Sequence, residues 1–174
     1  MNGLARYRHR VFVEKLGWDL ACCGGLEFDQ FDRPDTLYLA ARGDDGQLVG
    51  TARLLPTHRP YLLGDVFPQL MGDQPVPRSP DVWELSRFAA VDFSRTGTDA
   101  LHQFSSPVTL DLLREAIVQA KLHHAKRLIT VSPLGVERLL RRTGVRAYRA
   151  APPAIIDGHP IFACWIDLDR LPRT

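Results

Sequence analysis

The chain has 174 residues, 45% of them hydrophobic and 24% charged, with a formal net charge of +2. That is enough for one domain with its own core, and the charge is too mild to argue for nucleic acid. No run approaches the ~20 apolar residues of a membrane helix, and the first residues lack the apolar stretch of a signal peptide, so a single cytoplasmic domain over 1–174 is expected. Cys22, Cys23 and Cys164 show neither a disulfide framework nor zinc spacing and are expected as reduced thiols, with no metal site.

In chain order, Leu4, Tyr7, Val11, Phe12 and Leu16 recur at helical spacing, and Gly17 ends the helix. Arg8 lies on or beside that apolar stripe. Its stem either packs while its head reaches water, or its guanidinium faces an acidic site. Residues 27–35 hold four carboxylates, with Asp29 and Asp32 interleaved by Phe28 and Phe31. They lack the ligand run of a calcium loop. The aromatic residues bring this loop down onto the body of the protein.

Two strands, Thr36 to Arg42 and Gln47 to Leu55, flank the turn Gly43-Asp44-Asp45-Gly46. Arg53 shares a face of the second with Val49, Thr51 and Leu55. A mixed apolar stretch, Tyr61 to Met71, contains Phe67, and the Pro-rich residues 72–81 are expected as a mobile cover. Then comes Trp83-Glu84-Leu85-Ser86-Arg87-Phe88-Ala89-Ala90-Val91-Asp92. This apolar strand carries a carboxylate and a guanidinium three residues apart. Such groups are rarely buried unless paired, so either the two lie on opposite faces with one of them solvated, or both are buried with partners.

Residues 94–104 are polar. Ser106-Pro107 is expected to open a helix with an apolar stripe from Val108 to Ala120. A short strand, Arg127 to Ser132, precedes a helix capped by Ser132-Pro133 and stopped at Gly144, and two strands, Val145 to Ala151 and Ile161 to Leu168, complete the chain. The order predicts an α/β fold, a three-layer α/β/α sandwich with a mixed central sheet.

Three arginines (Arg8, Arg53, Arg87) and three carboxylates (Asp29, Asp32, Glu84) thus stand in apolar or semi-apolar settings. One shared cleft satisfies all six by mutual pairing and suits a zwitterionic ligand. Glu84 and Arg87 point oppositely in an ideal strand, so sharing a pocket requires a bulge between them.

The pattern Arg8-x3-Phe12-x5-Trp18, Asp29-x2-Asp32, Arg53-Leu54, Phe67 and Glu84-x-Ser86-Arg87-Phe88 resembles the acyl-homoserine-lactone synthases, the autoinducer synthases of quorum sensing. The resemblance implies a fold like that of GNAT acetyltransferases. Family members usually carry a short strand before the helix of Arg8, where this chain begins almost at that helix. The implied reaction joins S-adenosylmethionine, a substrate rather than a cofactor, to an acyl group on acyl carrier protein. The amine attacks the thioester, and the carboxylate then closes the lactone and expels methylthioadenosine. By matched position, Arg8, Phe12, Trp18, Asp29, Asp32 and Arg53 form the S-adenosylmethionine side and Arg87 pairs with the acids and holds the pocket together, while Glu84 is the candidate base, assisted by Ser86 or a backbone carbonyl. Phe67, Phe88, Leu128, Thr130 and Leu134 are candidates to line an acyl tunnel.

An acidic carrier suits the late cations Lys121, Lys126, Arg127, Arg138, Arg141, Arg142, Arg146 and Arg149. Of these, Lys126, Arg127, Arg138, Arg141 and Arg142 are the docking candidates. A GNAT-type N-acyltransferase using acyl-CoA is the alternative enzyme, although Ser94 to Thr98 supplies only one glycine for a pyrophosphate cradle. A non-catalytic ligand-binding domain on the same fold is the third possibility.

Overall fold

The computed structural model describes residues 1–94, 107–142 and 144–168. The expected turn at 94–98 falls partly, and the helix cap at Ser106 wholly, outside them. Chain order runs α1 (Asn2–Arg8), a π-helical segment (His9–Lys15), β1 (Cys22–Cys23), β2 (Leu26–Glu27), β3 (Leu37–Arg42), β4 (Leu48–Pro56), α2 (Leu62–Val66) and a 3-10 turn (Pro68–Met71). It continues through β5 (Val82–Ala90), α3 (Pro107–Leu122), β6 (Arg127–Pro133), α4 (Gly135–Arg142), β7 (Ala147–Arg149), β8 (Ala154–Ile156) and β9 (His159–Asp167).

The main sheet runs β3-β4-β5-β6-β9-β7, with β8 also paired to β9. β5 and β6 are parallel and every other neighbouring pair is antiparallel. This is the mixed sheet expected from a strand–helix–strand unit between hairpins. Beyond that expectation, β9 inserts between β6 and β7. The sequence also conceals two small hairpins, β1–β2 and β8–β9. Gly24 and Gly25 (φ 59° and 73°) turn the first, and Asp157 and Gly158 (φ 48° and 78°) the second.

Period-2 alternation assigns the two faces. Ala52, Leu54, Trp83, Leu85, Leu128, Phe162, Cys164 and Ile166 pack against α3 and α4. Leu55, Val82, Ile129, Ala163 and Trp165 face the other way, onto Phe31, Tyr61, Leu63, Leu70 and Met71. α1, the β1–β2 hairpin and α2 therefore cover the second face, completing three layers. Burying this many aliphatic and aromatic groups, at about 25 cal/mol per Å² of apolar surface, is the main term holding the layers together.

The Pro-rich segment expected as a mobile cover is instead tied down. Tyr61 Oη donates to Pro77 O (2.7 Å), Gln74 Nε2 to Ala150 O (2.6 Å) and Trp165 Nε1 to Gln74 Oε1 (3.3 Å).

Two irregularities shape the second face. Between β4 and β5, Thr51 pairs with Ala89 and Arg53 with Ser86. Two steps along β4 therefore oppose three along β5, and Arg87 takes φ 49°. This is the bulge that the Glu84–Arg87 spacing demanded, with a non-glycine residue in the left-handed region, the kind of strain found beside functional sites. β5 and β6 pair only from Val82–Arg127 to Glu84–Ile129. Past Glu84 no pairing joins the two strands, and the sheet opens between them.

Candidate active site

The bulge decides which side chains meet. Arg53 and Ser86 are cross-strand partners, as are Leu55 and Glu84, so all four face the covering layer that holds α1 and α2. In regular alternation Arg87 would point towards α3. The extra residue brings it round to the side of Ser86 and sends Phe88 against α3 instead.

Arg8 ends α1, where the backbone widens into a π-helix. Leu16 N–H donates to Val11 O (3.0 Å) across the wider turn. Such segments often mark functional sites. Phe12 and Trp18 stack at 5.1 Å with an interplanar angle of 26°, and the Arg87 guanidinium carbon lies 5.7 Å from the Phe12 ring centroid.

The charges converge. Arg8 Nη1 and Nη2 donate to Asp32 Oδ1 and Oδ2 (2.7 and 3.1 Å), while Arg8 Nε donates to Glu27. Arg53 Nη1 and Nη2 grip Asp29 (2.6 and 3.0 Å), Nη1 also reaches Asp32 Oδ1 (3.2 Å), and Nε donates to Ser86 Oγ (3.0 Å). Arg87 Nη2 donates to Glu27 Oε1 (2.8 Å) and Asp29 Oδ2 (2.9 Å). The snorkelling alternative for Arg8 is therefore excluded, since the residue is 1% exposed.

Five of the six ionic groups picked out in the sequence join this one network. The sixth, Glu84, lies beside it and makes no hydrogen bond to an arginine. Its carboxylate accepts the backbone N–H of Leu62 (3.0 Å) and Leu63 (2.7 Å) at the start of α2. It is fully buried. Burial pushes its pKa up to about 7, with the two amides and the nearby Arg53 and Arg87 charges opposing the rise. A carboxyl poised there can exchange a proton at neutral pH.

The mutual pairing expected of the charges is present: every nitrogen of Arg8 and Arg53 donates to Glu27, Asp29, Asp32 or Ser86, so these two brace the acids. Arg87 Nη1 alone among the nine guanidinium nitrogens makes no hydrogen bond among the described residues. Burial resists ionisation of Asp32, but the bonds from Arg8, Tyr38 and the Asp29 amide outweigh it and hold the carboxyl well below its usual range.

Two members of the network were not singled out in the sequence. Glu27, 1% exposed, bridges Arg8 and Arg87. In a loop with four carboxylates, only burial tells it apart. Tyr38 Oη donates to Asp32 Oδ1, and on β3 it looks like any half-buried strand aromatic.

The apolar candidates divide. Phe67 packs with the second-face cluster, whereas Phe88 and Leu128 pack on the α3 side. Thr130 Oγ1 lies 3.0 Å from Ser132 Oγ on β6, past the last residue paired to β5. Phe88 and Thr130 lie past the last β5–β6 pair, whereas Leu128 lies within the paired stretch opposite Trp83. Leu134 does not join them: it is 42% exposed, because the chain turns outward after Pro133.

Lys126 pairs with Asp81 (2.6 Å) and Arg127 covers the Trp165 ring at 4.4 Å. Both sit where β5–β6 pairing begins, at the far end from the opening. The backbone of Arg138, Arg141 and Arg142 belongs to α4, which follows the open end of β6, but their side chains lie outside the described residues. Among the described residues no group of His, Cys, Asp and Glu has the makings of a metal site, and no helix is long and apolar enough to cross a membrane.

The autoinducer synthase family model matches residues 1–173. The chain belongs to that family. An acyl-homoserine-lactone synthase of Acinetobacter nosocomialis is 57% identical over 162 residues, spanning 93% of this chain and 88% of the relative. TofI, solved in a ternary complex with an inhibitor and MTA, superposes with TM-score 0.82 at 45% identity, covering 96% of this chain and 83% of TofI. BjaI, a CoA-dependent acyl-homoserine lactone synthase solved with SAM and isopentyl-CoA, gives TM-score 0.82 at 28% identity, covering 97% and 76%.

A putative N-acetyltransferase from Lactobacillus plantarum shares the fold, with TM-score 0.61 over 96% of this chain and 91% of that one, at 20% identity. The GNAT-like architecture is thus shown. Membership makes the synthase an acyltransferase that produces acyl-homoserine lactones, which removes the non-catalytic alternative.

Proposed function

We propose that the synthase transfers an acyl chain from acyl carrier protein to the amine of S-adenosylmethionine and then closes the lactone, releasing methylthioadenosine. The observation that carries this reading is the position of Glu84. It is a buried carboxyl with its pKa near 7, on the face that holds the ionic network and beside the opening in the sheet.

In this scheme the amino acid end of S-adenosylmethionine lies against Asp29, which reaches the surface with its side chain 14% exposed. The ligand carboxylate meets the two free N–H groups of Arg87 Nη1. Phe12 and Trp18 supply an aromatic wall for the adenine or the sulfonium.

Glu84 takes a proton from the substrate ammonium, directly or through a water. The freed amine attacks the thioester carbonyl, and the carrier thiol leaves as the amide forms. Ser86 contributes by holding Arg53 in place. In the second step the substrate carboxylate attacks its own γ-carbon, and the sulfonium departs as methylthioadenosine. That step needs alignment rather than acid or base. The acyl chain runs into the opening between β5 and β6, past Phe88, Leu128 and Thr130, with Phe67 as a wall on the other face. S-adenosylmethionine enters as substrate, and no separate cofactor takes part. The chemistry takes place in the cytoplasm, a reading supported by the lack of any helix among the described residues long and apolar enough to cross a membrane.

Arg138, Arg141 and Arg142 on α4, which follows the open end of β6, stand against Glu137 as the one acid of that helix, which favours an acidic carrier as donor. Acyl-CoA is the second reading, because BjaI is CoA-dependent. Initial rates with one acyl chain presented on carrier protein and on CoA, read as lactone by mass spectrometry, decide between them. A higher kcat/KM for the carrier supports the proposal, and a higher value for CoA overturns it.

A further inference from the structure

Tyr38 stands directly across from Arg53 in the β3–β4 ladder, so both side chains rise on the same face. They end on the same atom. Asp32 Oδ1 accepts from Tyr38 Oη, from Arg8 Nη1 at 2.7 Å and from Arg53 Nη1 at 3.2 Å. The other oxygen, Oδ2, accepts from Arg8 Nη2 (3.1 Å) and from the backbone N–H of Asp29 (2.8 Å). Asp32 thus holds the backbone of Asp29, the acid with the most exposed side chain in the network, while Arg53, Arg87 and the Phe31 N–H hold the Asp29 carboxylate.

We propose that Tyr38 is a positioning residue for substrate binding, fixing the Asp32 carboxylate so that Asp29 is presented to the amino acid end of S-adenosylmethionine. This rests on the functional reading given above. Arg8 and Arg53 are each committed to a second carboxylate as well, Glu27 and Asp29 respectively. Neither therefore fixes the rotation of Asp32 alone, and the 3.2 Å contact from Arg53 is the longest bond on that carboxylate. The phenol is a neutral donor with a short, stiff side chain anchored in a strand. Burial first, and the bond to Asp32 second, keep it protonated well above neutral pH, so it remains a donor wherever the enzyme works.

Tyr38→Phe removes only the hydroxyl. With the full-length enzyme, the expected result is a rise of about tenfold in KM for S-adenosylmethionine. kcat should stay within twofold and KM for the acyl donor unchanged. A melting temperature within a few degrees of wild type separates this from loss of fold. Isothermal titration with S-adenosylmethionine alone should show the same tenfold weakening.

Wild-type enzyme that binds S-adenosylmethionine while Tyr38→Phe binds it equally well overturns the role of Tyr38. So does a variant whose kcat falls while KM holds. Wild-type enzyme that fails to bind S-adenosylmethionine overturns the functional reading, and this proposal with it.

Discussion

Glu27 and Arg87, sixty residues apart in the chain, meet in a buried ion pair in which Arg87 donates from Nε (3.1 Å) and Nη2 (2.8 Å) to Glu27 Oε1. The contact exists because the bulge in β5 turns Arg87 onto the covered face, where the β1–β2 hairpin delivers Glu27. The same carboxylate takes Arg8 Nε, so Glu27 clasps α1 to the central strand.

Replacing Glu27 by Gln leaves two buried guanidiniums short of a counter-charge. Breaking a buried pair from one side costs about 3–5 kcal/mol. In a chain of this size that lowers Tm by roughly 10 °C. Differential scanning calorimetry of Glu27→Gln checks this, and a change below 2 °C would show that the pair is dispensable.

Glu84 gives the reaction a pH signature. Its carboxyl is protonated below about pH 7, so kcat/KM should climb through that value and level off above it. Glu84→Gln should lose about 100- to 10,000-fold in rate, the usual worth of a general base, and the rising limb should vanish. An unchanged limb in the variant would assign it to another group.

The same group should mark stability. Its pKa is raised from 4.5 in the unfolded chain to about 7 in the fold. Below 4.5 both states hold the proton and Glu84 costs nothing. Between 4.5 and about 7 the unfolded chain releases it first, so wild type loses stability with rising pH, and the loss levels off above 7. Urea titrations across pH 4 to 8 should therefore show Glu84→Gln gaining relative to wild type through that window. A pH-independent difference would mean that the carboxyl is not perturbed.

Arg87→Lys keeps the charge but removes the fork that serves Glu27, Asp29 and the free Nη1. Losing one charge-assisted hydrogen bond, about 1.5–3 kcal/mol, predicts a rise in KM for S-adenosylmethionine of roughly 10- to 100-fold. Steady-state kinetics at saturating acyl donor measure it. An unchanged KM would leave Arg87 a purely structural member of the brace.

Reversing Arg141 and Arg142 to Glu should raise KM for the acylated carrier in a salt-dependent way, with the acyl-CoA reaction at most slightly changed. Equal effects on both donors would point to damage in α4 rather than to lost docking.

Much of this was legible in the sequence, for reasons that particular residues show. Glu84 and Arg87 in an apolar run announced both a buried ionic site and the bulge needed to form it, because period-2 geometry forbids a shared face otherwise. The paired hairpin around Gly43 to Gly46 and the β5-α3-β6 unit followed from turn chemistry and alternation. β8 was not foreseen, since Pro152, Pro153 and Pro160 obscure a strand, although Asp157-Gly158 is a hairpin signal. That Arg8 and Arg53 pair with acids was legible, but the part played by Glu27 and Tyr38 in that pairing was hidden. A sequence shows that charges need partners, but which partners they take is settled by distance.

The most direct test is to incubate the purified enzyme with S-adenosylmethionine and an acylated carrier and to quantify both products by mass spectrometry. Acyl-homoserine lactone and methylthioadenosine should appear in equal amounts. An acylated S-adenosylmethionine that accumulates without methylthioadenosine, or no acylation of the amine at all, would contradict the account.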